Sequence, residues 1–393
     1  MAEIADQDVA ADISARVETF VRDVVVAFEH DARWGNHGPS SELVQELRTK
    51  AAAAGVLTPH IRADGSHLDH RSTVRILLAA GLSPLGPTAV NAAAPDEGNM
   101  FLLGKIGTPE QKDIFLTPLL SGRARSAFMM TEPAADGGAG SDPTMLQTTA
   151  RRDGSGWRIS GRKAFVTGAH GAAFGIVMAK TSDTAATMFL VPLPQPSVVI
   201  ERVLDTIDRS MPGGHGVVSL NDVRVPGDSV LGEVDAGFLY AQVRLAPARL
   251  THCARWLGAC LRTQEIATEY AVRRQAFGRP LVDHEGVGFM LADNLIALKQ
   301  AELMIDWCAE VLDSGATGGT ESAMTKVAVS EALYQVADRC VQVLGGTGVS
   351  RDTIVEQVFR EMRAFRIYDG PSEVHKWSLA KYIIRNELKR CLA

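Results

Sequence analysis

The string Arg366-Ile367-Tyr368-Asp369-Gly370-Pro371-Ser372-Glu373-Val374-His375 carries a carboxylate in a place suited to proton transfer. Asp369 precedes Gly-Pro on a non-helical stretch leading into the last helix, from where a side chain can point into a cleft and reach a substrate proton. Asp also serves commonly as a turn or helix-capping residue, and this segment alone leaves both roles open. Four other strings combine residue types that hold a ligand. In Phe128-Met129-Met130-Thr131-Glu132-Pro133, followed by Gly138-Ala139-Gly140-Ser141-Asp142, loop N–H groups and hydroxyls can hold a polar ring edge or an anion; the alternative is a plain connecting loop. Lys163-Ala164-Phe165-Val166-Thr167-Gly168 sets an aromatic beside a hydroxyl, which suits a flat cofactor, yet taken alone it reads as an ordinary hairpin. Arg273-Arg274-Gln275-Ala276-Phe277-Gly278-Arg279-Pro280-Leu281 puts three arginines near a break between helices, where they can grip a phosphate. A solvated helix end is the alternative, and Phe277 beside the charges makes it less comfortable. Gln342-Val343-Leu344-Gly345-Gly346-Thr347-Gly348 is either a glycine cap or a place where backbone approaches a ligand closely.

These strings need elements to position them. Ile13, Val17, Phe20, Val21, Val24, Val25 and Phe28 recur at helical steps, and Glu42–Ala54 suits a second helix ended near Gly55. Further helices are expected at about 71–82, 96–106 and 109–121, the last with Thr108 as cap and Pro109 in its first turn. From 126 to 234 helical spacing gives way to short β-branched runs: Ile176–Ala179, Met188–Val191, Val198–Ile200, Val217–Leu220 and Val223–Val225. Asp153-Gly154-Ser155-Gly156 is a hairpin turn before Trp157. Several short strands in one segment suggest a small barrel or sandwich. Long helices return at 236–273, across Val287–Val311 and Met324–Leu344, and at 371–388, enough for a four-helix bundle with a flexible joint at Gly315–Gly319. The expected domains are therefore 1–125 helical, 126–235 a central β-barrel, and 236–393 a helical bundle, giving a mainly α fold. Gly345-Gly346-Thr347-Gly348 follows a helix and not a strand, which argues against a dinucleotide fold of alternating strands and helices.

Composition narrows the function. The 393 residues exceed one ordinary core, and 46% hydrophobic with 22% charged residues is a globular balance. A formal net charge of -6 without a long basic run argues against nucleic acid as partner. No apolar stretch reaches membrane-spanning length, the acidic start Met1–Asp6 lacks the features of a signal peptide, and a cytoplasmic location is expected. Cys253, Cys260, Cys308, Cys340 and Cys391 include no C-x-x-C pair, so no metal site is expected, and buried reduced thiols are.

Taken in order, the five strings resemble the acyl-CoA dehydrogenase family over nearly the whole chain. The Thr-Glu-Pro, Arg-x-x-Phe-Gly and Gln-x-x-Gly-Gly strings and the terminal Tyr-acid-Gly segment are that family's markers. More narrowly, Ala94-Pro95-Asp96-Glu97-Gly98-Asn99-Met100, Gly214-His215-Gly216 and Asp369–His375 are similar to the branch near the acyl-CoA dehydrogenase 10/11 type. The resemblance implies FAD between a β-barrel and a bundle, an acyl-CoA substrate, an electron-transfer flavoprotein as electron acceptor, and a homotetramer or homodimer. It places Phe128, Met130, Thr131 and Ser141 at the flavin and thioester, and Phe165 and Thr167 beside the isoalloxazine ring. It sends Arg274, Phe277, Gln342, Gly345 and Gly346 to a neighbouring subunit's FAD, and Ser372 and Glu373 to the nucleotide portion.

The implied chemistry is α,β-dehydrogenation to a 2-enoyl-CoA, with Asp369 taking the α-proton and a hydride leaving for the flavin. In the family a flavin ribityl hydroxyl and the backbone N–H of the base meet the thioester oxygen. Where most of the family has Glu, this chain has Asp, shorter by about 1.5 Å. Some relatives carry the base just before the arginine matching Arg249; that position is Ala248 here, so Arg249 is expected to tune or orient Asp369 or, alternatively, to meet the substrate tail or make a helix salt bridge. Ala134-Ala135-Asp136-Gly137 are additional to the family loop, and Pro371 replaces a usual Thr. His375 can contact the base loop or a substrate oxygen, but on a helix's first turn it is expected to be structural. Two competing readings are a flavoenzyme of the same fold acting without CoA, as a nitroalkane oxidase does, and a non-catalytic scaffold; intact flavin strings and a retained carboxylate count against the scaffold.

Overall fold

A computed structural model describes residues 2–62 and 64–392, with side chains for 9–62 and 64–387. Cys391 lies outside the residues whose side chains are described. Polar caps close the apolar helical repeats. The first helix, α1 (Ala2–Asp23), gives way to a 3-10 turn at Val25–Phe28. Ser40 Oγ accepts the Leu43 N–H to start α2 (Ser41–Ala53), and the Asp69 carboxylate does the same for Ser72 in α3 (His70–Ala80). α4 spans Asp96–Ile106. Thr108 and Gln111 form a capping box that opens a helical stretch through Leu120, so the expected 109–121 helix stands. Residues Lys112–Leu116 within it form a π turn that side-chain spacing does not reveal.

The β segment differs in detail from its sequence pattern. Its strands are β1 (Ser126–Met129), β2 (Thr149–Asp153), β3 (Gly156–Thr167), β4 (Phe174–Lys180), β5 (Ala186–Pro192), β6 (Val198–Leu204) and β7 (His215–Val225). Phe128, read above as part of a loop string, lies within β1, which pairs in parallel with β4. The two runs Val217–Leu220 and Val223–Val225 are one strand, with Asn221 and Asp222 as an irregularity inside it and Asp222 at φ +55. The ladders order the strands β1-β4-β2-β3-β7-β6, with β5 on β4, in one seven-stranded sheet. Among the described residues these ladders form no closed ring. Trp157, Ile159, Val177, Phe189, Val218 and Val223 are among the residues that build a core on one face of the sheet, and Phe174, Ile176, Met178, Met188 and Leu190 build another with α4.

After the sheet come the helices α5 (Gly237–Arg273), α6 (Glu285–Asp313), α7 (Gly319–Leu344), α8 (Val355–Phe365) and α9 (Ser372–Leu392). α8 adds a helix to the four expected. The chain divides into two compact units. One holds the residues up to Glu29, Asp69–Gly86 and everything from Arg249 onward; the other holds His30–Leu68 and Pro87–Ala248. In the first, α3 and α5 touch backbone to backbone: a Cβ on Gly258 would lie 2.1 Å from the Leu78 carbonyl oxygen. Cys253, Cys260, Cys308 and Cys340 are free and buried, as expected, and burial pushes their thiols up, Cys308 to about 11 and Cys340 to about 12. No helix among the described residues is long and apolar enough to cross a membrane, and none of their His, Cys, Asp and Glu side chains cluster as metal ligands.

Candidate active site

Asp369 lies in the turn between α8 and α9 with φ +54, a left-handed backbone that Asp tolerates better than most residues. Its carbonyl oxygen is held from two sides, by Arg249 Nε at 2.9 Å and His375 Nε2 at 3.2 Å. Lys326 Nζ donates to the next carbonyl, Gly370, at 2.8 Å. Gly370 has φ +102, and a Cβ there would collide with the His375 ring at 2.5 Å, so only glycine lets the ring approach this turn. The Asp369 carboxylate meets His252: Oδ2 lies 3.2 Å from Nε2, with the carboxylate side chain 22% exposed and the imidazole 6%.

Arg249, His252, Lys326 and His375 thus surround one carboxylate-bearing turn. Burial lowers Arg249 while the Asp369 charge raises it, leaving it below the ordinary arginine value. Burial pushes Lys326 down to about 8. His375 falls to about 4, through burial first and then the charges of Arg249 and Lys326. Arg249, expected to orient Asp369 or to meet the substrate tail, donates to the backbone carbonyl of Asp369. The direct partner of the carboxylate, His252, was not singled out in the sequence. The signal was its position three residues after Arg249, on the same helical face.

In the second unit a buried polar network sits beneath β1. Asp96 accepts from Ser126 N–H (2.6 Å) and Oγ (2.7 Å), Asn99 Nδ2 donates to the same Oγ (2.8 Å), and Arg244 Nε donates to Asn99 Oδ1 (2.8 Å). The Arg244 guanidinium then lies 4.0 Å from the centre of the Phe128 ring. This accounts for the Asp-Glu-Gly-Asn string: it fixes the strand that carries Phe128. Met130 is half-buried against the core, and the Thr131 carbonyl accepts from Ala164 N–H at 2.9 Å, which joins the first string to Phe165.

Glu132, not listed above among the binding residues, is the anchor of this loop. Its carboxylate accepts from Gln147 N–H (2.6 Å), Thr148 N–H (2.8 Å) and Lys163 Nζ (2.9 Å). Burial pushes Lys163 down to about 8 against the pull of Glu132, while Glu132, raised by burial, ends below its ordinary value because Lys163 and the N–H donors outweigh it. Ala134–Asp136, expected to be additional to the family loop, form an exposed 3-10 turn, with Asp136 paired to Arg162 at 3.2 Å. Ser141 is exposed.

Phe165 is 60% exposed at φ +53 and Phe277 96% exposed at φ +51. Holding a large aromatic outward on a left-handed backbone costs of order 1–3 kcal/mol, so both positions mark candidate ligand surfaces. Arg274, Gln342, Gly345 and Gly346 are exposed, and space is open where a Cβ on either glycine would stand. Among the described residues no hydrogen bond or ion pair links Arg274 or Phe277 to Gln342, Gly345 or Gly346. Ser372 is buried and donates to Glu331 Oε1 at 2.6 Å, while Glu373 is exposed. Flat apolar faces, an exposed guanidinium and bare glycine backbone fit a dinucleotide with a planar ring.

Residues 127–223 match the family model for the acyl-CoA dehydrogenase middle domain, and residues 235–384 match that for the acyl-CoA dehydrogenase C-terminal domain. "Probable acyl-CoA dehydrogenase FadE2" of Mycobacterium tuberculosis is 36% identical over 396 residues, covering 96% of each chain. Acyl-CoA dehydrogenase family member 11 of Gallus gallus is 35% identical over 97% of this chain, which spans 51% of that relative's length. A solved structure from Mycobacterium abscessus overlays with a TM-score of 0.86 at 33% identity, covering 96% of this chain and 98% of that one. A glutaryl-CoA dehydrogenase from Mycobacterium smegmatis in complex with FADH2 overlays at 0.83 with 24% identity, over 95% and 94% of the two chains.

Proposed function

The chain belongs to the acyl-CoA dehydrogenase family, and from that membership we propose that it removes two hydrogens across the Cα–Cβ bond of an acyl-CoA thioester with Asp369 as base. It is an FAD-dependent oxidoreductase acting on CH–CH groups. The observation that carries the proposal is the convergence of Arg249, His252, Lys326 and His375 on the Asp369 turn. A carboxylate that takes a proton needs a fixed direction and counter-charges. Arg249 and His375 fix the turn through its carbonyl, and His252 fixes the carboxylate. The thioester oxygen gathers negative charge as the α-proton leaves, and the Asp369 backbone N–H is its donor on this chain. Bound FAD supplies the hydride acceptor.

Phe128, Met130, Thr131, Ser141, Phe165 and Thr167 hold the flavin and thioester region in this reading. Arg274, Phe277, Gln342, Gly345 and Gly346 reach a neighbour's FAD, Ser372 and Glu373 serve the nucleotide portion, and the chain works as a homo-oligomer. The exposure of the second group supports this division. Electrons pass on to an electron-transfer flavoprotein. In this reading the seven-stranded sheet stands in the place of the family's central β domain. The test is an anaerobic titration of the purified flavoprotein with saturated acyl-CoAs. Bleaching of the flavin band by one of them is expected. Bound FAD that no acyl-CoA reduces transfers the reading to a non-CoA substrate, and a protein without FAD refutes it.

A further inference from the structure

Thr167 and His215 are direct partners across the antiparallel ladder of β3 and β7. Thr167 Oγ1 lies 2.9 Å from His215 Nδ1, and His215 Nε2 lies 2.8 Å from Asp208 Oδ2. Both members of the pair are enclosed, with side-chain exposures of 14% for His215 and 9% for Asp208. Thr206 Oγ1 donates to the Asp208 carbonyl at 3.1 Å and steadies the loop that supplies the carboxylate. Burial raises Asp208, but the hydrogen bond and charge of His215 leave it below the usual carboxylate range.

An ionised carboxylate only accepts, so the hydrogen on His215 Nε2 is fixed toward Asp208. An imidazolium would donate from both nitrogens; above the range in which histidine titrates the ring is neutral, Nδ1 is then the acceptor, and the Thr167 hydroxyl must donate to it. Thr167 Oγ1 keeps its lone pairs for whatever lies on its other side. The geometry points to Asp208 and His215 as positioning residues that make the Thr167 hydroxyl a hydrogen-bond acceptor toward the flavin. This rests on the reading in which Thr167 flanks the isoalloxazine ring. The central ring nitrogen of a flavin bears a hydrogen only when reduced, so if the hydroxyl met that nitrogen its acceptor role would favour the reduced form. In that contact the pair makes the bound flavin a stronger oxidant of its substrate.

Two measurements test this. In 15N-histidine-labelled protein, above the range in which histidine titrates, His215 should carry its hydrogen on Nε2; a hydrogen on Nδ1 overturns the inference without touching the reading beneath it. In the holoenzyme, His215→Leu frees the Thr167 hydroxyl to donate, and the oxidised-to-reduced equilibrium should move toward oxidised by on the order of tenfold, about 30 mV for a two-electron couple. In a Thr167→Val background the same change should add nothing. An unchanged or raised potential, or an equal shift in the Val background, overturns it, because a merely structural histidine would not depend on the hydroxyl. If His215→Leu fails to fold, Thr167→Val alone decides: loss of the acceptor should lower the potential, and an unchanged or raised value overturns the inference. A wild-type protein that binds no FAD refutes the underlying reading, and this inference with it.

Discussion

Replacing Asp369 by Asn removes the charge and leaves the turn intact. Asn shares the tolerance of Asp for a left-handed backbone, so φ +54 persists, and Arg249 and His375 keep the same carbonyl at 2.9 and 3.2 Å. Ala at this position forgoes that tolerance, and a left-handed residue with an ordinary Cβ costs roughly 1–2 kcal/mol. The two variants therefore separate chemistry from architecture. A positioned base contributes about 10²–10⁴ in rate, which is roughly 2.7–5.4 kcal/mol of barrier. Asp369→Asn should bind FAD, melt close to wild type, and slow flavin reduction by acyl-CoA about 10²–10⁴-fold in anaerobic stopped flow. Asp369→Ala should slow it as much and lose a further ~1–2 kcal/mol of stability in denaturant unfolding. Wild-type reduction by the Asn variant would refute the base assignment. Equal destabilisation of both variants would refute the account of the turn.

Three further outcomes follow from the same geometry. His252→Leu removes the hydrogen bond to the Asp369 carboxylate and should slow reduction by about 10–100-fold while altering its pH profile; His252→Gln, which restores a donor, should recover much of the rate, and no rescue would count against positioning. His375, lowered to about 4 from an unfolded value of 6.5, stabilises the fold fully above 6.5, and this contribution is lost as pH falls from 6.5 toward 4. His375→Gln should flatten the melting temperature across that window, and an unchanged acid limb would exclude His375 as its source. Gly258→Ala forces α3 and α5 apart and should destabilise by about 1–3 kcal/mol in chemical unfolding, whereas a neutral result would refute the close approach.

Helix positions were legible because period and caps coincide, as at Thr108. β1 was not, because four residues of Ser-Ala-Phe-Met carry no alternation, and their pairing with β4 is set 48 residues away, Ser126 against Phe174. The family strings named the Asp369 turn, but not what holds it: His252 and Lys326 sit on α5 and α7, and only packing tells which helical faces meet. Gly214-His215-Gly216 was visible as a string, while the acceptor logic of His215 needs Asp208 from the loop before it.

Glu132 has a consequence for how much change this loop tolerates. Its backbone N–H bonds the Ala139 carbonyl at 2.8 Å, and its carboxylate grips the backbone again at Gln147 and Thr148. Residues Ala134–Gly137 lie inside the loop that the first of these bonds closes. Closing a longer loop adds only about 0.6 kcal/mol per doubling of its length. Insertions there are insulated from Thr131 on one side and from β2 on the other. Residues 134–136 are exposed and can lengthen, shorten or change composition at little thermodynamic penalty while the strand ends beside them stay in register, which makes them a natural graft point for altering the rim of the site.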